Sequence, residues 1–252
     1  MRRLATSTWP DLAAAAGSVS VLLIPLGSTE QHGPHLPVTT DTDIAVAIAD
    51  AAAGRDPRLT VAPAVPYGSS GEHQGFPGTL SIGQDATELL LVELGRSAAA
   101  DFTHTVVLSA HGGNAGPLAR AMARLADEGH PVSAWSPSWS GDLHAGRTET
   151  SLMLAVAPDR VSLGAAAPGD TRPLKEILPL LRAHGVRSVS TNGVLGDPAG
   201  ASPTEGERLL EQAVEGLLGA LEVLGVLGPA GGSAPAESSH RSDGVGVLGV
   251  PS

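Results

Sequence analysis

Val19-Ser20-Val21-Leu22-Leu23-Ile24-Pro25-Leu26 runs directly into Gly27-Ser28-Thr29-Glu30-Gln31-His32-Gly33-Pro34-His35-Leu36-Pro37, and this junction decides the fold. The first run is short, apolar and rich in Val, Leu and Ile, so it reads as a buried strand. Gly27 ends it, and a polar loop follows to residue 40. Residues 41–53 form an alanine-rich helix, stopped at Gly54 as a C-cap. The alternation continues outward. A strand is expected over 59–65, a long Gly/Ser/Pro loop over 66–83, and a helix over 84–100 with Asp85 and Glu88 in capping-box spacing. A strand at 103–109, a turn at 111–113, a helix at 114–128 and a strand at 131–135 follow. A loop to Arg147 leads into a helical stretch at 148–156, and further helices are expected over 173–184 and 203–224. The last starts with Ser202 as N-cap, Pro203 at its first position and Glu205 closing a capping box. Such alternation predicts an α/β domain with a mostly parallel sheet.

Composition narrows the function. The chain has 252 residues and a formal net charge of −11, with three Trp, one Tyr, two Phe and no Cys. An acidic balance with so few rings argues against nucleic-acid binding. The lack of cysteine excludes disulfides, thiolate zinc sites and cysteine nucleophiles. No apolar run approaches the roughly 20 residues of a membrane span. Met1 to Pro10 shows no signal-type apolar region, so a soluble, cytoplasmic protein is expected. Residues 1–227 read as one domain, and 228–252, rich in Gly, Pro, Ala and Ser, as a disordered tail. Gly244-Val245-Gly246-Val247-Leu248-Gly249 matches a dinucleotide-binding pattern, but no helix can follow it.

Nine histidines stand out against this background, and several lie at predicted strand ends. Open parallel sheets bind ligands at the carboxyl ends of their strands. Glu30 and His32 follow the first strand, and Asp41 opens the next helix. Together they form a mixed oxygen and nitrogen ligand set suited to Zn, Mn or Fe. Ser109-Ala110-His111-Gly112-Gly113-Asn114 presents His111 at the same sheet edge. It lacks the Lys and Ser/Thr of a phosphate loop, and no G-x-S-x-G elbow accompanies it. His144-Ala145-Gly146-Arg147-Thr148-Glu149 adds a carboxylate and a titratable ring. Taken singly, these residues cap helices or solvate loops. As a group, Glu30, His32, Asp41, His111 and Glu149 suit two divalent metals, with Asp41 bridging. A metal-bound hydroxide would attack a polarised carbonyl, and His144, titrating near working pH, would protonate the leaving nitrogen. The expected reaction is hydrolysis of a C–N amide bond. The loop at 66–83, with Tyr67, Glu72, His73 and Phe76, reads as a substrate-gating segment or as a surface or oligomer contact. Trp135 and Trp139 flank the third cluster and line a pocket or pack in the core.

At these residues the chain resembles the creatininase family. The likeness rests on the string from Leu26 to Pro37, Asp41-Thr42-Asp43, Gly71-Glu72-His73 and Phe76-Pro77-Gly78-Thr79-Leu80-Ser81. It continues through His111-Gly112-Gly113-Asn114 and His144-Ala145-Gly146 with Glu149-Thr150-Ser151. The resemblance implies an α/β/α sandwich, a two-metal amidohydrolase site (Zn and/or Fe, with Mn possible) and a homo-oligomer, often a hexamer. It carries Glu30, His32, Asp41 and His111 over as ligands and His144 as the catalytic acid/base. Creatininases proper place a metal-binding Glu where this chain has Gly113. Another branch uses a Glu at the position of Glu149, so creatinine is not the expected substrate. That branch includes formamide hydrolases and a peptidase that releases a C-terminal dipeptide unit from a modified precursor peptide. The peptidase is the expected likeness, with catalytic His144 and Glu149 and with Glu72, His73 and Trp139 against the substrate. A small-molecule amidohydrolase and a non-catalytic metal-binding protein of the same fold are the alternatives.

Overall fold

The computed structural model of the chain describes residues 1–14 and 19–228. Apart from Gly228, the expected tail lies outside the described residues. Five strands, β1 (Arg2–Arg3), β2 (Val21–Leu26), β3 (Leu59–Val61), β4 (His104–Ser109) and β5 (Val132–Trp135), form one sheet in the order β1-β3-β2-β4-β5. Every pairing is parallel. The helices are α1 (Trp9–Ala14), α2 (Thr40–Arg55), α3 (Gln84–Ala98), α4 (Ala115–Asp127), α5 (Arg147–Val156), α6 (Leu174–His184) and α7 (Pro203–Val223).

All of β2 is buried, and its alternate side chains serve two layers. Val21 and Leu23 join Val106 and Leu108 in a core with α2, α5 and α7. Leu22 and Ile24 face the other side with Ala98, while Val107 packs with Leu91 of α3 and Met122 of α4. The result is the expected three-layer α/β/α sandwich. Pro25 is tolerated in this central strand because its carbonyl accepts from Val65 N, which puts its missing N–H on the β3 side. The ladder to β3 has already ended there, at Leu23↔Val61. Register places Leu26 opposite Ser109, so β2 and β4 end level and their following loops lie side by side.

Several local expectations are corrected. The third strand stops at Val61 rather than 65, since Pro63 cannot donate to a ladder, and Val65 rejoins only through a bridge to Leu26. Helix α2 runs through Gly54 to Arg55, whose guanidinium pairs with Glu211 of α7. Asp85 and Glu88 form no capping box: Gly83 is the N-cap, and Glu88 pairs instead with Arg120 of α4. Ser202 caps α7 as expected, accepting from Glu205 N at 3.2 Å. The Glu205 carboxylate, however, goes to Arg147 and Ser151 of α5, so the box is half-formed. Strand β1 and helix α1 are additions to the elements expected from the sequence. No helix among the described residues is long and apolar enough to cross a membrane.

Candidate active site

The level ends of β2 and β4 bring the first two motifs together. Glu30 and His32 are fully buried, Asp41 lies in the first turn of α2, and His111 caps the turn after β4. Ser28 Oγ donates to Asp41 Oδ2 at 2.6 Å and holds that carboxylate in place. The third motif arrives with the loop that opens α5 and the first turn of that helix. Leu195 pairs with His144 in a short antiparallel bridge, and Glu149 accepts the backbone N–H of Ala145. Ala145 is buried with φ 53°, a left-handed conformation that is uncommon outside glycine. Three overlapping groups of ligand atoms result: Glu30, Asp41 and His111; His32, His144 and Glu149; and Glu30, His73 and His144.

Backbone carbonyls fix the orientation of three rings. A carbonyl can only accept, so the ring nitrogen facing it carries the proton. His32 Nδ1 thus donates to Glu30 O at 3.1 Å, His111 Nε2 to Ser69 O at 2.9 Å, and His144 Nε2 to Gln31 O at 2.8 Å. The opposite nitrogens turn inward. His32 Nε2 lies 3.2 Å from Asp41 Oδ1, and His111 Nδ1 lies 3.2 Å from Asp41 Oδ2. Asp41 therefore stands between two imidazoles, each offering its second nitrogen.

Such a cluster demands positive charge. Both carboxylate oxygens of Glu30 are buried and, among the described residues, have no hydrogen-bond partner, a costly arrangement unless they ligate a cation. Burial raises Glu30 to about 7 against the pull of His111. Burial alone would lower His32 and His111, but Asp41 and Glu30, with Glu149 at His32 and Glu72 at His111, raise both to about 10. Asp41 is held well below the carboxylate range: burial pushes it up, and the two imidazoles outweigh it. These are the donors and charges of a site for divalent cations, borderline oxygen and nitrogen ligands with no thiolate. Among the remaining expected residues, burial together with His32 and His73 puts His144 well below its ordinary value. Burial here disfavours the charged ring, against the expectation that it titrates near working pH.

Glu72 and His73 sit on a 3-10 turn in the long loop and do reach the cluster. His73 Nε2 is 3.3 Å from Glu30 Oε1, and Glu72 Oε1 is 3.6 Å from His111 Nε2. Gly113 is required by close approach: a Cβ there would lie 2.3 Å from Glu72 Oε1 and 2.4 Å from both His111 Nε2 and Ser69 O. Trp139 packs on α7, its indole donating to Leu209 O at 3.4 Å. With Trp135, Ser138 and Gln212 it lines a separate cavity of about 250 Å³.

One organiser of the site is not legible from its own sequence context, the side chain of Gln31. Gln31 Nε2 reaches His73 Nδ1 at 2.9 Å and Gly193 O at 3.0 Å, while its Oε1 accepts Gly33 N. One amide thus joins three loops. Asn192-Gly193 is a turn signal that marked this third loop, but nothing local ties it to the site.

The creatininase family profile, described as creatinine amidohydrolase, matches residues 5–221. With its parallel sandwich and its cluster of carboxylates and imidazoles, the chain belongs to the creatininase family, a class of hydrolases acting on C–N bonds. The mycofactocin precursor peptide peptidase of Mycolicibacterium smegmatis is 50% identical over 207 residues, covering 79% of this chain and 83% of the relative. That of Mycobacterium ulcerans is 46% identical over 219 residues, 83% of each. The creatinine amidohydrolase of Pseudomonas putida is 30% identical over 254 residues, covering 85% of this chain and 94% of the relative. Among solved structures, a manganese creatininase superimposes with TM-score 0.75 at 26% identity, covering 88% of this chain and 98% of that one. A mutant creatininase of the Zn-Zn type gives 0.74 at 26%, covering 88% and 97%.

Proposed function

We propose that this chain is a metal-dependent peptidase that cleaves the C-terminal dipeptide unit from the modified mycofactocin precursor peptide. The observation that carries this reading is the graded likeness: 50% identity to a precursor-peptide peptidase against 30% to a creatinine amidohydrolase, over similar shares of the chain. Gly113 supports it, since the packing around it leaves no room for the side chain that creatininases proper carry at that place.

Glu30, Asp41 and His111 would hold one divalent cation and His32, Asp41 and Glu149 a second, with Zn, Fe or Mn as the candidate metals. When bound, these cations supply Lewis-acid activation of water and of the scissile carbonyl. The protein does the rest. Ser28 and the three backbone carbonyls hold the ligands in one orientation. His73 and Glu72 face the substrate from the loop side. His144 enters catalysis as an acceptor: its Nε2–H is committed to Gln31 O, and its free Nδ1 can accept the scissile N–H or take a proton. Trp139 would contact the peptide beyond the cluster. A homo-oligomer, a hexamer by family likeness, working in the cytoplasm completes the proposal.

The test is mass spectrometry of modified precursor peptide incubated with metal-loaded protein. Loss of two C-terminal residues is expected. An intact peptide beside turnover of creatinine or a formamide would replace this reading with that of a small-molecule amidohydrolase.

A further inference from the structure

His35 lies in the same string as Glu30 and His32, yet it falls outside the three groups of ligand atoms. Its side chain is buried, and its Nε2 lies 2.8 Å from Thr150 Oγ1 in α5, 115 positions along the chain. Its Nδ1 is buried and, among the described residues, has no hydrogen-bond partner. The Gly33 backbone closes that side, since a Cβ on Gly33 would lie 3.1 Å from His35 Nδ1. A buried imidazole with one nitrogen unpaired is costlier than an apolar ring of similar shape. Space-filling therefore does not account for it, and the bond to Thr150 does. Helical side chains turn by about 100° per residue, so Glu149, Thr150 and Ser151 point three ways. Glu149 Oε2 faces His32 Nε2 at 3.9 Å. Ser151 Oγ faces α7, donating to Glu205 Oε2 at 3.1 Å and accepting Ser202 N at 3.1 Å. Thr150 faces the loop after β2. Among the described residues, its contact with His35 is the one side-chain hydrogen bond from α5 to that loop. Glu149 accepts a hydrogen bond from Ala145 N, just ahead of its own helix, so its carboxylate goes wherever the first turn of α5 is held.

We propose that His35 is a positioning residue: through Thr150 it holds the first turn of α5 against the loop after β2, and so sets the cation affinity of the place formed by His32, Asp41 and Glu149. The proposal rests on the two cation places given above. Glu30, Asp41 and His111 come from the segments after β2 and β4 and from α2, so their place does not lean on this tie.

The test titrates zinc into metal-free wild type, His35→Phe, Thr150→Val and Thr150→Ser, by calorimetry and by competition with a chromophoric chelator. Wild type is expected to take two cations per chain. His35→Phe and Thr150→Val are expected to weaken one of them at least about 10-fold while the other stays within about threefold. Thr150→Ser keeps the hydroxyl and is expected to keep both affinities. His35→Phe combined with Thr150→Val is expected to be no weaker than either alone, because both remove the same bond. Thermal melts of the metal-free variants show that each is folded, and a His35→Phe that does not fold leaves the two Thr150 variants to decide. Equal weakening of both cations, unchanged affinities in Thr150→Val, or weakening in Thr150→Ser as large as in Thr150→Val would overturn the proposal. Fewer than two cations in wild type would overturn the cation places and the proposal together, whereas two in wild type with unaltered variants would overturn the proposal alone.

Discussion

Asn114 Nδ2 donates to the carbonyl of Gly27 at 3.0 Å, fastening the turn after β4 to the end of β2. The same amide accepts Ser69 N at 2.9 Å, so the substrate loop is tied to both strand ends. All three residues are buried. We predict that Asn114→Leu, which leaves a buried N–H and a buried carbonyl unpaired, costs about 2–4 kcal/mol. Urea denaturation measures this, and unchanged stability would show that the tie is dispensable.

Asp41 is the residue on which both cation places depend. Asp41→Asn is predicted to reduce metal content to less than half that of wild type by elemental analysis, with loss of hydrolysis. Ser28→Ala removes only the 2.6 Å hydrogen bond to Asp41, and is predicted to weaken cation affinity about 10- to 100-fold. Competition against a chromophoric chelator separates the two effects. Equal losses would mean that Ser28 does more than orient the carboxylate.

Chelation is predicted to destabilise the protein as well as stop turnover. The cluster buries Glu30 and Asp41, and among the described residues no basic side chain but histidine stands against them. Free cation at 100 times its Kd contributes about 2.7 kcal/mol by mass action. The melting temperature should therefore fall with EDTA and recover with zinc or manganese. A midpoint indifferent to EDTA would argue that no cation binds here.

Helix packing gives a paired prediction on α7. A Cβ on Gly206 would lie 1.9 Å from Ser151 O and 2.9 Å from Ala155 Cβ, whereas one on Gly219 meets nothing within 4 Å among the described residues. Gly206→Ala should force α5 and α7 apart, at a cost of about 1–3 kcal/mol. Gly219→Ala should stabilise by up to about 1 kcal/mol through the restricted unfolded chain. Thermal unfolding of both variants checks the sign of each change.

Much of the fold was legible because each motif sits where a hydrophobic run stops. Residues 19–26 announce a buried strand, Gly27 ends it, and the parallel register then puts Glu30 and His111 on the same edge. Side-chain partnerships were less legible. Glu205 and Glu88 have capping-box spacing, yet each prefers an arginine on a neighbouring helix, and a local pattern says nothing of that neighbour. Gln31 is adjacent to two site residues but works through Gly193, 162 positions away. The downward shift of His144 comes from burial beside His32 and His73, which follows from packing alone.

The carbonyls of Glu30, Gln31 and Ser69 that hold His32, His144 and His111 belong to the main chain. No side-chain replacement can delete them. Inheritance of the ring orientations is thus uncoupled from the identity of these three positions, and mutation can rewrite neighbouring side chains while the imidazoles stay aimed. Glu72 enjoys no such protection, since it reaches the cluster only through its own side chain and the gap at Gly113. Divergence in what this scaffold hydrolyses should therefore accumulate on the 66–83 loop and at position 113, where one substitution changes the chemistry offered to the substrate without unaiming a single ring.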